Sequence, residues 1–338
     1  MTRMHRIGVL AAATVFIPLF CYAAEIGEEE VTPRVKKIYL DEEAEKGILE
    51  KGTTKSLVGI SEGYDNNTHL DTRRDGDAYT QVFYKGSFST PVSKKTQGIA
   101  EYTLMGLFYA DEADLNLVSN GFHLALDNKI AKDLNFITGY YLDILEYANS
   151  GNDDYFENRV EFKLKHNLPY KMFHSLGYEA GLKYYEGRHI RTPAAEDSDK
   201  KRDDVRNTAE YEIGKYFSKD MFKISFLYYN NNSNEKYLNY YDYDSYKIGA
   251  SLTHLFNDKW FGYLSFARQF RDFRSRTLTL DENSKEWDRT YVGTSSLYYN
   301  MNKSLSFGLS YTYRQNYSNE PVENYSGSLI SLSSYYRF

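Results

Sequence analysis

From about Lys55 to its last residue the chain repeats one unit: roughly ten to fifteen residues of alternating character, then a break. Between Ser304 and Arg314 the apolar positions Leu305, Phe307, Leu309, Tyr311 and Tyr313 interleave with Ser306, Gly308, Ser310 and Thr312. Tyr246, Ile248, Ala250, Leu252 and Phe256 stand opposite Lys247, Gly249, Ser251 and Thr253 in the same way. Leu176, Tyr178, Ala180 and Leu182 alternate with Gly177, Glu179, Gly181 and Lys183. A period of two puts one set of side chains on each face of a β-strand, so each unit predicts a strand with an oily face and a wet face.

Alternation alone also suits a soluble sandwich, but strand length and charge placement do not. Sandwich strands average about five or six residues, whereas a tilted strand that crosses a bilayer needs about 9 to 11. The wet faces carry full charges in mid-segment, as in Glu157, Arg159, Glu161, Lys163 and Lys165 opposite Phe156, Val160, Phe162 and Leu164. Such charges cannot all enter a dry core, but they can face a watery lumen. The expected fold is all-β: a transmembrane antiparallel up-and-down barrel over 54–338.

The segments number about fourteen, near 55–65, 78–90, 97–110, 116–128, 134–147, 155–167, 173–188, 204–217, 221–230, 242–256, 260–275, 287–300, 304–316 and 325–338. An even number returns both ends to the same side, the periplasm in bacterial barrels. Short breaks around 93–96, 131–133, 169–171, 218–220, 257–259 and 302–303 alternate with longer polar ones, notably 66–77, 191–203, 231–241 and 277–286. The prolines at 33, 91, 169, 193 and 321 all fall outside the segments, as they must where each residue donates to a ladder.

Ahead of this region, Arg3 and Arg6 precede an apolar stretch from Ile7 to Phe20, followed by Ala23 and Ala24. This reads as a secretory signal peptide over 1–24. Its removal takes the formal charge from −6 to −8, because two Arg and no acids leave with it. Cys21 leaves too, and with it any disulfide, thiolate metal site or cysteine nucleophile. Residues 25–53 form an acidic, helix-prone stretch with Glu28, Glu29 and Glu30 and the run Asp41, Glu42 and Glu43. We expect a short periplasmic tail there, with a small stopper inside the channel as the alternative.

Composition narrows the function. Aromatic residues make up 17% of a chain that is 26% charged, which excludes disorder and spreads the aromatic surface thinly. The acidic balance argues against a nucleic-acid partner. Among the histidines, His166 and His254 fall on the lipid face near periplasmic ends and His123 on the inner face close to Asp127; His69 and His189 lie near the outer rim. No nucleophile and base are fixed together by the sequence, so no enzyme, no catalytic residue and no cofactor are expected. The acids of the loop Glu196, Asp197, Asp199 and Asp203 are interrupted by Lys200, Lys201 and Arg202 and read as a solvated loop, not a calcium site. The Tyr-rich stretch from Tyr237 to Tyr246 reads as a membrane-boundary girdle in preference to a sugar-stacking surface.

The last strand ends in Ser334-Tyr335-Tyr336-Arg337-Phe338, with Ile330, Leu332, Tyr336 and Phe338 on one face. This resembles the C-terminal signature of Gram-negative outer-membrane β-barrels, and the resemblance implies that Tyr336 and Phe338 address the barrel-assembly machinery. Ser334 departs from the pattern, where an apolar residue is usual. Gly63-Tyr64-Asp65-Asn66-Asn67 resembles the opening strand of bacterial β-barrel porins, some associated with exopolysaccharide operons, and of the barrels of surface-lipoprotein assembly modifiers. The helical-repeat domain that precedes the barrel in the assembly modifiers has no counterpart here.

The inward residues expected to line a lumen are Lys85, Glu101, Asp127, Glu157, Arg159, Glu161, Lys163 and Glu179, continuing with Lys183, Arg206, Glu210, Glu212, Lys223, Lys247, Arg271 and Arg314. Both signs occur in similar numbers, so strong ion selectivity is not expected. The reading that follows is an outer-membrane, porin-like channel, surrounded by outer-membrane lipids, for passive passage of small polar solutes, saccharides among them. The alternatives are a non-conducting structural or surface-interaction barrel, or an accessory barrel for exopolysaccharide or lipoprotein export.

Overall fold

A computed structural model describes residues 52–149, 151, 153–191, 197–235 and 241–338. The expected leader and the acidic segment, except its last two residues, lie outside them. The strands are β1 (Thr53–Asp65), β2 (Asp77–Pro91), β3 (Thr96–Tyr109), β4 (Leu117–Ala131), β5 (Leu134–Tyr147), β6 (Tyr155–Leu168) and β7 (Met172–Arg191). They continue with β8 (Asp197–Tyr216), β9 (Asp220–Ser233), β10 (Tyr243–Leu255), β11 (Trp260–Thr277), β12 (Lys285–Asn300), β13 (Leu305–Ser318) and β14 (Tyr325–Arg337). Each pairs antiparallel with its neighbours in sequence, and β1 pairs with β14 from Leu57↔Arg337 to Asp65↔Leu329. The sheet is therefore a closed fourteen-stranded barrel with no free edge.

The period-two pattern explains why closure is favourable. On β1, Leu57, Ser61 and Asp65 are buried while Val58, Ile60 and Tyr64 are exposed. Leu124, Leu176, Leu264 and Leu332 each leave more than half of their surface bare on the outside. A band of that kind would aggregate in water and is satisfied by lipid.

Polar rungs mark the two margins of the band. Toward the loop end, outward tyrosines donate to acceptors on the next strand: Tyr102 to Asn120 (2.8 Å), Tyr140 to Asn158 (2.5 Å), Tyr178 to Asn207 (2.8 Å) and Tyr228 to Asp244 (2.8 Å). Each ring stays in the apolar band while its hydroxyl reaches the wet boundary. Toward the turn end, Trp260 packs on Tyr299 at 4.7 Å. There His166 Nδ1 lies 3.1 Å from His174 Nε2, and His254 Nδ1 2.6 Å from Asp220.

Three boundaries differ from the sequence pattern. Pro91 closes β2, opposite Gln97, where the strand has run out of ladder and needs no N–H. The polar stretch 191–203 is largely strand, because β7 and β8 each run for 20 residues. Their ladder continues past Tyr184↔Asp203 with shifted register to Arg191↔Asp197, and above the lipid both faces are wet, so alternation fades while pairing persists. The Tyr-rich stretch divides, with Tyr246 on the outer face and Tyr243 turned inward against Tyr229 and Phe273; residues 237–240 lie outside the described set.

Candidate functional site: a two-sided lumen

The inner wall is the largest polar surface the fold builds, and its chemistry is unequal around the circumference. On β2 to β9 the inward residues form an ionic belt, one linked cluster and two further ion pairs. Lys85 on β2 reaches Glu101 on β3 at 3.5 Å, and Glu101 lies 3.3 Å from His123 on β4. His123 stacks on Tyr141 of β5 with centroids 4.0 Å apart, and the Tyr141 hydroxyl donates to Glu161 at 3.1 Å. Arg159 on β6 binds Asp143 (2.6 Å) and Glu179 (3.2 Å) at once. Lys163 meets Glu210 at 3.6 Å and Lys223 meets Glu212 at 3.1 Å.

Glycines on the same face let these long side chains lie against the wall. A Cβ on Gly139 would stand 3.0 Å from His123 Nε2 and 3.1 Å from Glu161 Oε2, and one on Gly181 would stand 3.0 Å from Arg159 Cγ. The missing side chains are the slots in which the charges recline against the wall.

Above the belt, toward the loops, cations rest on aromatic rings. Lys183 Nζ is 3.3 Å from the Tyr155 ring centre, and Arg202 sits 3.3 Å over Tyr241 and 4.4 Å over Tyr185. Arg206 stands 5.3 Å from Tyr229 and Arg271 5.0 Å from Tyr243. Gln269 donates to the Tyr229 hydroxyl at 2.6 Å, and Asp204 pairs with Arg202 and accepts from Asn231. Cation–π contacts help to hold these cations in place. At the rim Arg276 ties Glu286 (2.7 Å) to Glu323 (3.1 Å). Burial lifts the Glu323 carboxyl above its ordinary range, with Arg276 opposing.

The opposite side, β11 to β1, is neutral at mid-height. Thr294 contacts Thr312 at 3.1 Å, Ser310 donates to Ser296 at 2.8 Å, and Ser61 lies 2.7 Å from Ser333. Tyr263 and Tyr298 pack below them with Met221. A hydroxyl and aromatic wall thus faces an ionic one.

By strand register the charged positions named from the sequence, from Lys85 through Arg314, share the sheet face that carries Leu57 and Asp65, and Asp127 accepts from Asn135 at 2.8 Å. Lys247 projects inward from β10 between Leu227 and Gln269. Tyr336 and Phe338 project outward, with rings 5.9 Å apart. Asp65, Arg202, Asp204 and Asp288 escaped the inward set because they sit at strand ends or in segments taken as loop. Asp143 lies inside β5, and strict parity within 134–147, with Asn135 and Gly139 opposite Phe136, Tyr140 and Leu142, would have found it.

The two rim histidines each have a partner of their own. His189 Nδ1 meets the backbone carbonyl of Ser198 at 2.7 Å, and the Ser198 hydroxyl turns to Lys200. His69 pairs with Glu112 at 3.1 Å. Among the described residues no group of three or more His, Cys, Asp or Glu is placed to hold a metal ion.

No family model matches the chain, and no curated protein does. Among solved structures, the loop-L8 deletion mutant of OmpT, an outer membrane protein of Vibrio cholerae, aligns with a TM-score of 0.51 at 8% identity, covering 86% of this chain and 100% of that one. In-vitro folded OmpT from the same organism gives 0.50 at 10% identity over 87% and 100%. An anion-selective porin from Comamonas acidovorans gives 0.47 at 10% identity over 85% and 99%. At these identities the likeness is one of fold, and the fold is that of bacterial outer-membrane β-barrels.

Proposed function

We propose that this chain is an outer-membrane channel through which small polar solutes, saccharides among them, diffuse down their gradients without chemical change. The observation that carries this reading is the two-sided lumen. One wall offers hydroxyls and rings, and the other offers paired charges laid flat in glycine slots. A barrel of more than eight strands has an interior wider than its side chains need fill. A wall of alternating donors and acceptors replaces the hydration of an uncharged polar solute at low cost, and its mixed signs give only weak ion discrimination. In this reading the turn end faces the periplasm, and the outward Tyr336 and Phe338 of β14 serve the assembly machinery.

Planar-bilayer recording tests it. Discrete open steps, together with swelling of saccharide-loaded vesicles, are expected. Silence from a sample shown to be folded would overturn the channel and favour a structural barrel that binds a partner through its projecting β7–β8 hairpin.

A further inference from the structure

Three arginines face outward near the loop end on β11 and β12, and two of them have carboxylate partners. Arg274 chelates Asp244 through two N–H groups at 2.9 Å. Arg289 donates to Asp272 at 2.8 Å and to the carbonyls of Arg271 and Asp288. Arg268 differs. It stands four residues below Asp272, between Phe266 and Phe270 on its own strand and beside Ile248 and Tyr291 on the adjacent ones. That spacing places it roughly 10 Å inside the polar boundary on a tilted strand.

Among the described residues Arg268 makes no hydrogen bond and no ion pair, and its Nε is buried without a partner. Its only contacts are cation–π, at 4.4 Å to Phe270 and 5.0 Å to Tyr291. An arginine on the lipid face is costly at the bilayer midplane and much less so near the boundary. Cation–π contacts offset part of that cost, and an anion drawn to the position would offset more. The same Phe270 ring lies 5.4 Å from Arg289, which also sits 4.8 Å over Trp287. One aromatic ring therefore carries two guanidinium groups, one inside the apolar band and one at its margin.

We propose that Arg268 and Arg289 bind the phosphate of an outer-leaflet glycolipid, with its acyl chains along Phe266 and Ile248. A guanidinium fork matches phosphate oxygens in two parallel hydrogen bonds, and the flexible stem of Arg268 lets its head rise toward the boundary where such phosphates lie. On a second copy the outward acids Asp244 and Asp272 are already held by arginine and Glu62 is bonded to Thr80, which leaves Glu146 as the exposed outward carboxylate toward the loop end of β5. The site rests on the outer-membrane reading but not on conduction, so a silent lumen would leave it standing.

The test uses the full chain folded in detergent, with bis-phosphorylated lipid A and the same lipid stripped of phosphate as probes, followed by native mass spectrometry. The phosphorylated form is expected to bind at least about tenfold more tightly. R268Q should erase that preference while the barrel keeps its folded gel mobility, and R289Q should reduce it. Equal binding of the two lipids, or an unchanged preference in R268Q, would overturn the proposal. An oligomer dissolved by R268Q and by E62Q or E146Q and indifferent to lipid A would assign the patch to a second copy instead, and would overturn it as well.

Discussion

Arg314 clamps Asp65 across the closing seam of the barrel: its Nη2 lies 2.6 Å from both carboxylate oxygens and 2.6 Å from the carbonyl of Asn67. Arg314 belongs to β13 and Asp65 ends β1, so the pair spans the β14 strand that joins first to last. The seam runs down to Ser56 and Phe338, which exchange two backbone hydrogen bonds at 3.0 Å, whereas β1 stays paired with β2 down to Thr53↔Ser89. Both partners are almost fully buried, at 6% and 1% side-chain exposure. Replacing Arg314 by Ala strands a buried carboxylate and should destabilise the barrel by about 3–5 kcal/mol. Urea unfolding in lipid vesicles measures it, and a loss below about 1 kcal/mol would mean the clamp is incidental.

Gly139→Val should narrow the passage. Its Cβ would stand 3.0 Å from His123 Nε2, and His123 and Glu161 would have to leave the wall. We expect lower single-channel conductance together with about 1–3 kcal/mol of overpacking. Unchanged conductance would mean that the belt does not border the conducting path.

Selectivity should follow the belt carboxylates. With Glu179 and Glu210 both changed to Gln, Arg159 loses one of its two acceptors and Lys163 loses its partner. The lumen becomes more positive, and the reversal potential in a KCl gradient should move toward that of chloride. A permeability ratio changed by roughly two- to tenfold corresponds to about 0.4–1.4 kcal/mol, and the shift should shrink at high salt.

The first outer loop, 66–76, should loosen only in strong acid. Burial alone would raise the Asp71 carboxyl, but hydrogen bonds from the Arg73 side chain (2.7 Å) and backbone (2.8 Å) outweigh it and hold it below its ordinary 3.8. A depressed carboxylate contributes its stability above the unfolded value and loses it as pH falls through the folded one. The carboxyl carbon resonance of Asp71 should therefore titrate below 3.8, and Arg73→Gln should bring the midpoint back toward it. A wild-type midpoint at or above 3.8 would refute the assignment.

Fourteen strands, their in-and-out parity and the side on which each turn falls were legible in the chain, because a period of two written over segments long enough to cross a bilayer leaves one closed solution. Lipid outside and water inside demand opposite side chains at every step, and residues such as Leu309 and Ser310 record that demand directly. Parity also directed Arg159, Glu161 and Lys163 inward, but it said nothing about height or partner. Register between strands sets those, and only the folded barrel sets register: it brought Lys85, Glu101, His123 and Tyr141 into one belt across four strands. It also gathered the hydroxyls of Ser296, Ser310 and Thr312 on the far wall and left Arg268 unpaired in the apolar band. Alternation is local and survives in a linear string; juxtaposition around a cylinder depends on shear and closure, which no single strand carries.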